Sequence, residues 1–161
     1  MNGKIPAAIL VVGAVVVGAG VFYMQVYGYY ERLDQGVVAS QITAAAPDGT
    51  MRLLPVSEAE GIDANSSPLR WRACFTLEDD VPDPATLVPY EGATPLVGPG
   101  WFSCYDAGAV TRALESGEAH AWLSAAGVHS DVDRVIALWP DGHGVGWHQL
   151  DPDAEEPGMM D

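Results

Sequence analysis

Residues 132–150 read VDRVIALWPDGHGVGWHQL, and this stretch decides the fold class. Residues 132–139 and 144–150 are rich in β-branched and aromatic side chains, with Pro140-Asp141-Gly142 between them. Proline presets the first turn position and glycine supplies a positive φ, so the stretch reads as a β-hairpin. Working outward, Leu69, Trp71, Ala73 and Phe75 alternate with Arg70, Arg72 and Cys74, the period of a half-buried strand. Residues 119–125 read as a further strand, with Ala119, Ala121 and Leu123 on one face. Residues 106–116 read as a helix: Asp106 is placed to cap it, Ala109, Val110, Ala113 and Leu114 form an apolar stripe, and Gly117 stops it. Residues 37–44 and 51–56 are expected to pair as strands across Pro47-Asp48-Gly49. Between the strand at 69–75 and the helix, residues 80–100 hold Pro82, Pro84, Pro89, Pro95 and Pro99, which excludes a long helix and predicts a long ordered loop. The order of elements gives an α+β domain: a mostly antiparallel sheet with one or two short helices.

Upstream, residues 5–24 read IPAAILVVGAVVVGAGVFYM without a charge. A helix rises about 1.5 Å per residue, so such a run covers roughly 30 Å, the hydrocarbon thickness of a bilayer. Pro6 sits in the first turn, where its missing N–H is harmless. Phe22, Tyr23, Tyr27, Tyr29 and Tyr30 suit the headgroup level. Lys4 precedes the span, whereas Glu31 and Asp34 follow it, so the N-terminus is expected in the cytoplasm and the remainder across the membrane. The competing reading is a cleaved signal peptide with its site near Gly18-Ala19-Gly20. One lysine makes a weak n-region and the apolar stretch is long, so an uncleaved signal anchor is preferred, with the helix running to about Leu33. Ala14 and Gly18 have the small-xxx-small spacing that lets membrane helices approach, which allows a homodimer or a partner's helix.

The chain has 161 residues and a formal charge of -15. All 22 acidic residues lie at or after Glu31, together with six arginines, so residues 31–161 carry -16. Such a surface repels phosphates, which excludes a nucleic-acid binder of the ordinary kind. It would attract a cationic partner, and it also serves plain solubility. The expected organisation is 1–33 as a transmembrane signal anchor with a short cytoplasmic N-terminus, 34–150 as an extracytoplasmic α+β domain, and 151–161 as a disordered acidic tail.

Two cysteines exclude a disulfide-dense miniprotein and a four-cysteine zinc site. In an oxidising compartment Cys74 and Cys104 are most simply a disulfide, closing a loop worth about 3.6 kcal/mol by chain entropy. A redox-active pair and two free buried thiols are the alternatives, the former without a C-x-x-C or a flanking Lys or His. Most tryptophans are expected in the core, with Trp101, in a Gly/Pro-rich loop, the exception. His143 and His148, near Asp141, are the residues for a metal or ligand site, but a separation of five on a strand puts them on opposite faces. Surface histidines are the simpler account. No G-x-S-x-G, phosphate-cradling glycine loop or EF-hand spacing occurs, so no enzyme activity, catalytic residue or cofactor is expected.

Several segments together resemble a known family. They are Met1-Asn2-Gly3-Lys4 with the following span, Gln25-Val26-Tyr27, Ile62-Asp63-Ala64, Ser66-Ser67-Pro68, Arg72-Ala73-Cys74-Phe75, residues 90–97, Gly100-Trp101-Phe102, Cys104, Asp133-Arg134-Val135 and Trp147-His148-Gln149. The chain resembles a domain-of-unknown-function family of short, single-pass inner-membrane proteins of alphaproteobacteria, over most of residues 1–150. The resemblance implies an anchor and is consistent with pairing Cys74 with Cys104; it brings no activity, ligand or catalytic residue. The expected role is a membrane-anchored periplasmic accessory or interaction protein, contacting an inner-membrane partner through Tyr90, Pro95, Leu96, Val97, Trp101 and Phe102. The alternative is a periplasmic ligand- or metal-binding sensor domain using His143 and His148.

Overall fold

The computed structural model describes residues 3–154. The chain forms two units, Met1–Tyr30 and Glu31–Asp161. In the first, helix α1 spans Lys4–Tyr23 and none of its residues is buried. With the following turn, Lys4–Gly28 is long and apolar enough to cross a membrane. The turn, Met24–Gly28, is a π-helix: the Tyr29 N–H donates to the Met24 carbonyl at 3.0 Å. Tyr23 and Tyr27 stack on it at 5.6 Å.

The second unit is a mixed α/β domain built on an antiparallel sheet. Its strands are β1 (Glu31–Leu33), β4 (Val56–Asp63), β5 (Arg72–Leu77), β6 (His120–His129), β7 (Val132–Leu138) and β8 (His143–Leu150), in the order β1-β4-β5-β8-β7-β6. Helix α2 (Gln35–Gln41) and the small hairpin β2 (Thr43–Ala45)–β3 (Met51–Leu53) follow β1; helix α3 (Ala107–Ser116) precedes β6.

The β7–β8 hairpin forms as its sequence demands. Trp139 and His143 close it through the Trp139 N–H to the His143 carbonyl, 3.0 Å, and Gly142 takes φ 88°. Helix α3 is capped by the Asp106 carboxylate, which accepts from the Ala109 N–H at 3.0 Å, and Gly117 ends it at φ 76°. The 46–50 turn also forms, held by the Ala46 N–H to the Thr50 carbonyl, 2.8 Å.

Three local readings change. The strand expected from Leu69 begins only at Arg72, because Pro68–Arg70 form a 3-10 turn capped by the Ser67 side chain, which accepts from the Leu69 N–H at 3.3 Å. Residues 31–33 are not the end of a helix, because they pair with Gly61 to Asp63 as the edge strand β1. Residues 35–41 are helical rather than extended, despite the strand preference of Val37 and Val38. The spacing of Val38 and Ile42 is the reason: four apart, both fully buried, they lay one helical face on the sheet. Residues 151–154 make a turn tied back by the Asp151 N–H to the Asp131 carbonyl, 2.9 Å. The rest of the expected tail, 155–161, lies outside the described residues.

The sheet is buried on both faces. On the first, Trp71, Ala73, Phe75, Trp122, Ile136 and Leu138 pack beneath α2 and the β2–β3 hairpin. The central strand β8 meets them with glycines. A Cβ on Gly146 would lie 2.7 Å from the Trp71 ring, and one on Gly144 2.6 Å from the Phe75 ring. Gly144 and Gly146 therefore let two aromatic rings pack directly against the backbone of strand β8. The second face, carrying Arg72, Cys74, Asp133, Val135, Trp147 and Gln149, is covered by residues 88–106.

Candidate functional site

The cover over the second face is a strap with almost no secondary structure of its own. Buried polar side chains hold it. Arg72, 2% exposed, donates from Nε to the Leu96 carbonyl (2.9 Å) and from its guanidinium to the carbonyls of Val97 (3.1 Å), Leu69 (2.7 Å) and Trp71 (2.6 Å). Gln149 accepts from the Thr94 N–H (2.7 Å) and from Trp147 Nε1 (2.9 Å), and donates to the Gly92 carbonyl (3.2 Å). Asp133 accepts from the Tyr90 hydroxyl (3.0 Å) and from the Gly127 N–H (2.9 Å). Burial, and then this carboxylate, push the Tyr90 phenol well above its ordinary value. A disulfide joins Cys74 on β5 to Cys104 at the strap's far end, with their Cα atoms 6.2 Å apart.

These bonds sort the expected interaction residues. Phe102 is 2% exposed and belongs to the core. Tyr90, Pro95, Leu96 and Trp101 are half-buried, and the Arg32 guanidinium lies over the Trp101 ring at 5.1 Å. Val97, 80% exposed, is the apolar tip that faces outward. Tyr105 beside it is 5% exposed, and its hydroxyl has no hydrogen-bond partner among the described residues. Burial pushes its pKa well above the ordinary phenol value, so the hydroxyl stays protonated.

The two expected metal ligands are not brought together. His143 is exposed at the hairpin end, stacked on Trp139 at 4.3 Å and bonded to the Asp141 carboxylate at 2.6 Å. His148 is no surface histidine: it is 3% exposed, on the first face, stacked on Trp71 at 5.0 Å. Its Nδ1 lies 2.7 Å from the Pro68 carbonyl and its Nε2 lies 3.1 Å from Arg134 Nε. The carbonyl needs a donor and the guanidinium an acceptor, so the ring is neutral with its proton on Nδ1. Burial, with Arg134 alongside, lowers its pKa to about 4. Arg134 lies 4.4 Å over the Trp71 ring and also donates to the Gln41 carbonyl, 3.2 Å. Among the described residues no three His, Cys, Asp or Glu side chains converge on a metal position.

Next to this buried cluster is a cleft of about 460 Å³. Its walls come from three distant segments: Glu31 and Leu33 on β1, the connection from Asp63 to Pro68, and His129 at the end of β6. Strands β1 and β6 are opposite edges of the sheet, so the sheet curls enough for both edges to line one cleft. Glu31 and Asp63 stand directly opposite each other in the β1–β4 pairing. Asp63 is half-buried and accepts from the Ala64 N–H at 2.7 Å; desolvation raises its pKa despite the positive fields of His129, Arg134 and Arg72. The His129 ring meets the His148 ring edge-on at 6.3 Å. Sequence reading missed this cleft. Its only signals were His129 near acidic residues and the Ile62-Asp63-Ala64 and Ser66-Ser67-Pro68 segments of the resemblance.

A single apolar helix followed by a curled, disulfide-closed antiparallel sheet domain is thus the architecture. The chain belongs to a family of unknown function, DUF6446, whose model matches residues 41–157. That stretch starts at the last residue of α2 and takes in the whole strap, the disulfide and strands β2 to β8; the apolar helix lies outside it. No curated protein and no solved structure matches the chain.

Proposed function

We propose that this is a single-pass membrane protein whose acidic domain lies on the periplasmic side of an inner membrane and serves as an accessory or interaction module rather than an enzyme. The Cys74–Cys104 disulfide carries the reading, since such bonds persist in oxidising compartments and are rare in the cytosol. The distribution of charge supports it: Lys4 precedes the span, and 22 acidic residues follow it. The resemblance to inner-membrane proteins of alphaproteobacteria supports it further. The contact surface we assign is the outer side of the strap around Pro95, Leu96 and Val97, with Trp101 beside it. The strap's inner side is already committed to Arg72, Gln149 and Asp133. In the membrane, the Ala14–Gly18 face is where a partner's helix or a second copy would pack.

Thiol blocking in intact cells tests the placement. Both cysteines are expected to resist alkylation until a reductant is added, and protease added to spheroplasts is expected to remove the domain. Free thiols in untreated cells, or a domain sheltered from protease, would refute it. Recovery of the protein alone after crosslinking and mild-detergent pull-down would count against the interaction role.

A further inference from the structure

We propose that the cleft between β1, the 63–68 connection and the end of β6 binds a small organic cation carrying a primary ammonium or guanidinium group. The inference goes beyond the interaction role, and holds on whichever side of the membrane the domain lies. Its first ground is the opposition of Glu31 and Asp63. Like charges directly across a strand pair destabilise it, and here they face each other at the mouth of a cavity. Among the described residues neither carboxylate has a basic group within 4 Å, the only ion pairs being Arg32–Glu60 and His143–Asp141. Asp63 is moreover partly desolvated, and burial raises its pKa despite the positive fields of His129, Arg134 and Arg72, none of which pairs with it, so its ionised form is only partly compensated. A cation seated between the two carboxylates removes both costs.

The walls say which kind of cation. His129, exposed at the rim, is an exchangeable polar wall, and Asn65 and Ser67 offer further acceptors. Leu33, Ala64 and Pro68 are apolar and suit a short methylene chain. A volume of about 460 Å³ is that of a small-molecule site rather than of a bare ion. The absence of a converging set of three ligands among the described residues agrees with an organic rather than a metal cation. The anionic charge of residues 31–161 would concentrate any such cation near the mouth.

The test is calorimetric titration of the full chain in neutral detergent, at low ionic strength, with 1,4-diaminobutane as the probe and 1,4-butanediol as its uncharged counterpart. One saturable site for the diamine and none for the diol is the expected result. Glu31→Gln and Asp63→Asn are each expected to weaken binding at least tenfold. Asp80→Asn, which removes the same charge from the loop ahead of the strap, is expected to leave it within twofold. Asp63→Asn keeps the oxygen that accepts the Ala64 N–H; should it misfold, Glu31→Gln, at an exposed position, carries the test alone. No saturable binding, equal loss in all three variants, equal binding of the diol, or a Ca²⁺ or Mg²⁺ ion that the diamine cannot displace would each overturn the proposal.

Discussion

The two faces of the sheet are closed by opposite means. On the first, α2 and the β2–β3 hairpin supply a regular apolar layer, and Gly144 and Gly146 make room for Phe75 and Trp71. On the second, a proline-rich strap has no ladder of its own, and Arg72, Gln149, Asp133 and a disulfide hold it. The first face should therefore fail through lost packing volume, and the second through unsatisfied polar groups and a loosened loop. Trp71→Ala is the heaviest blow to the first. It empties a fully buried site and removes the stacking partner of both His148 and Arg134. A loss of about 3–5 kcal/mol in denaturant unfolding of the full chain in detergent is expected. A loss below about 1 kcal/mol would mean that the glycine floor does not organise this core.

Arg72→Met tests the second face. The substitution keeps bulk but leaves the carbonyls of Leu96, Val97, Leu69 and Trp71 without their charged donor. Hydrogen bonds to charged groups are worth about 1.5–3 kcal/mol, and several are lost together, so a loss of about 3 kcal/mol is expected. The signature that separates the faces is proteolysis: cleavage within residues 92–100 should rise sharply in Arg72→Met and much less in Trp71→Ala at matched stability. Arg72→Lys should not restore protection, because an ammonium cannot reproduce the planar fork.

The pH response probes the polar edge of the first face. His148 has a pKa of about 4 in the folded chain against 6.5 for the unfolded one. Between these values the unfolded chain takes up a proton that the folded chain refuses. The stabilisation is thus complete above pH 6.5 and lost as the pH falls towards 4, with a span of about 3 kcal/mol. Asp63 works the other way: its raised pKa is a cost at neutral pH that lifts as it protonates in acid. His148→Gln keeps a donor for the Pro68 carbonyl and an acceptor for Arg134 and does not titrate. It should flatten the stability profile between pH 6.5 and 4, and an unchanged profile would remove His148 as its cause.

How these faces could be read from the sequence differs as well. The hairpin at 132–150 and helix α3 were legible because their signals are local: Pro140-Asp141-Gly142 and Asp106 specify φ values and caps within a few residues. The core role of Trp71, Ala73 and Phe75 followed from a period of two. Helix α2 was not legible, since Val37 and Val38 favour strand and only the sheet beneath Val38 and Ile42 decides otherwise. The cleft was the least legible. Glu31, Asp63 and His129 come from three segments, two of them on opposite sheet edges, and only the curl of the sheet brings them together. The strap was legible as an ordered loop, but not its anchors, because Arg72 and Gln149 read as the solvent side of strands until something covers that side.

Tyr105 gives a finer contrast beneath the strap. Its hydroxyl is buried without a partner, whereas the phenol of Tyr90 is bonded to Asp133. Removing an unsatisfied group releases its desolvation cost, and removing a satisfied one strands its partner. Tyr105→Phe is therefore expected to be neutral or to stabilise by up to about 1 kcal/mol. Tyr90→Phe should destabilise by about 1 kcal/mol, and a reversed order in thermal unfolding would show that the strap seats differently on this face.

Val97 should show the smallest change in stability, and it separates the strap's two sides. Its neighbour Leu96 is half-buried and the carbonyls of both are committed to Arg72, but the Val97 side chain is 80% exposed. The strap thus holds the backbone rigid at the position where it presents an apolar group to solvent. A rigid presentation lowers the ordering cost of binding, which is what an interaction surface needs and a solubilising loop does not. Val97→Ser is expected to leave unfolding within about 0.5 kcal/mol of the parent. In cells the same variant should reduce the yield of crosslinks formed from position 95. A full crosslink yield would move the contact off the strap, and a stability loss well beyond that range would mean that the tip is packing rather than presentation.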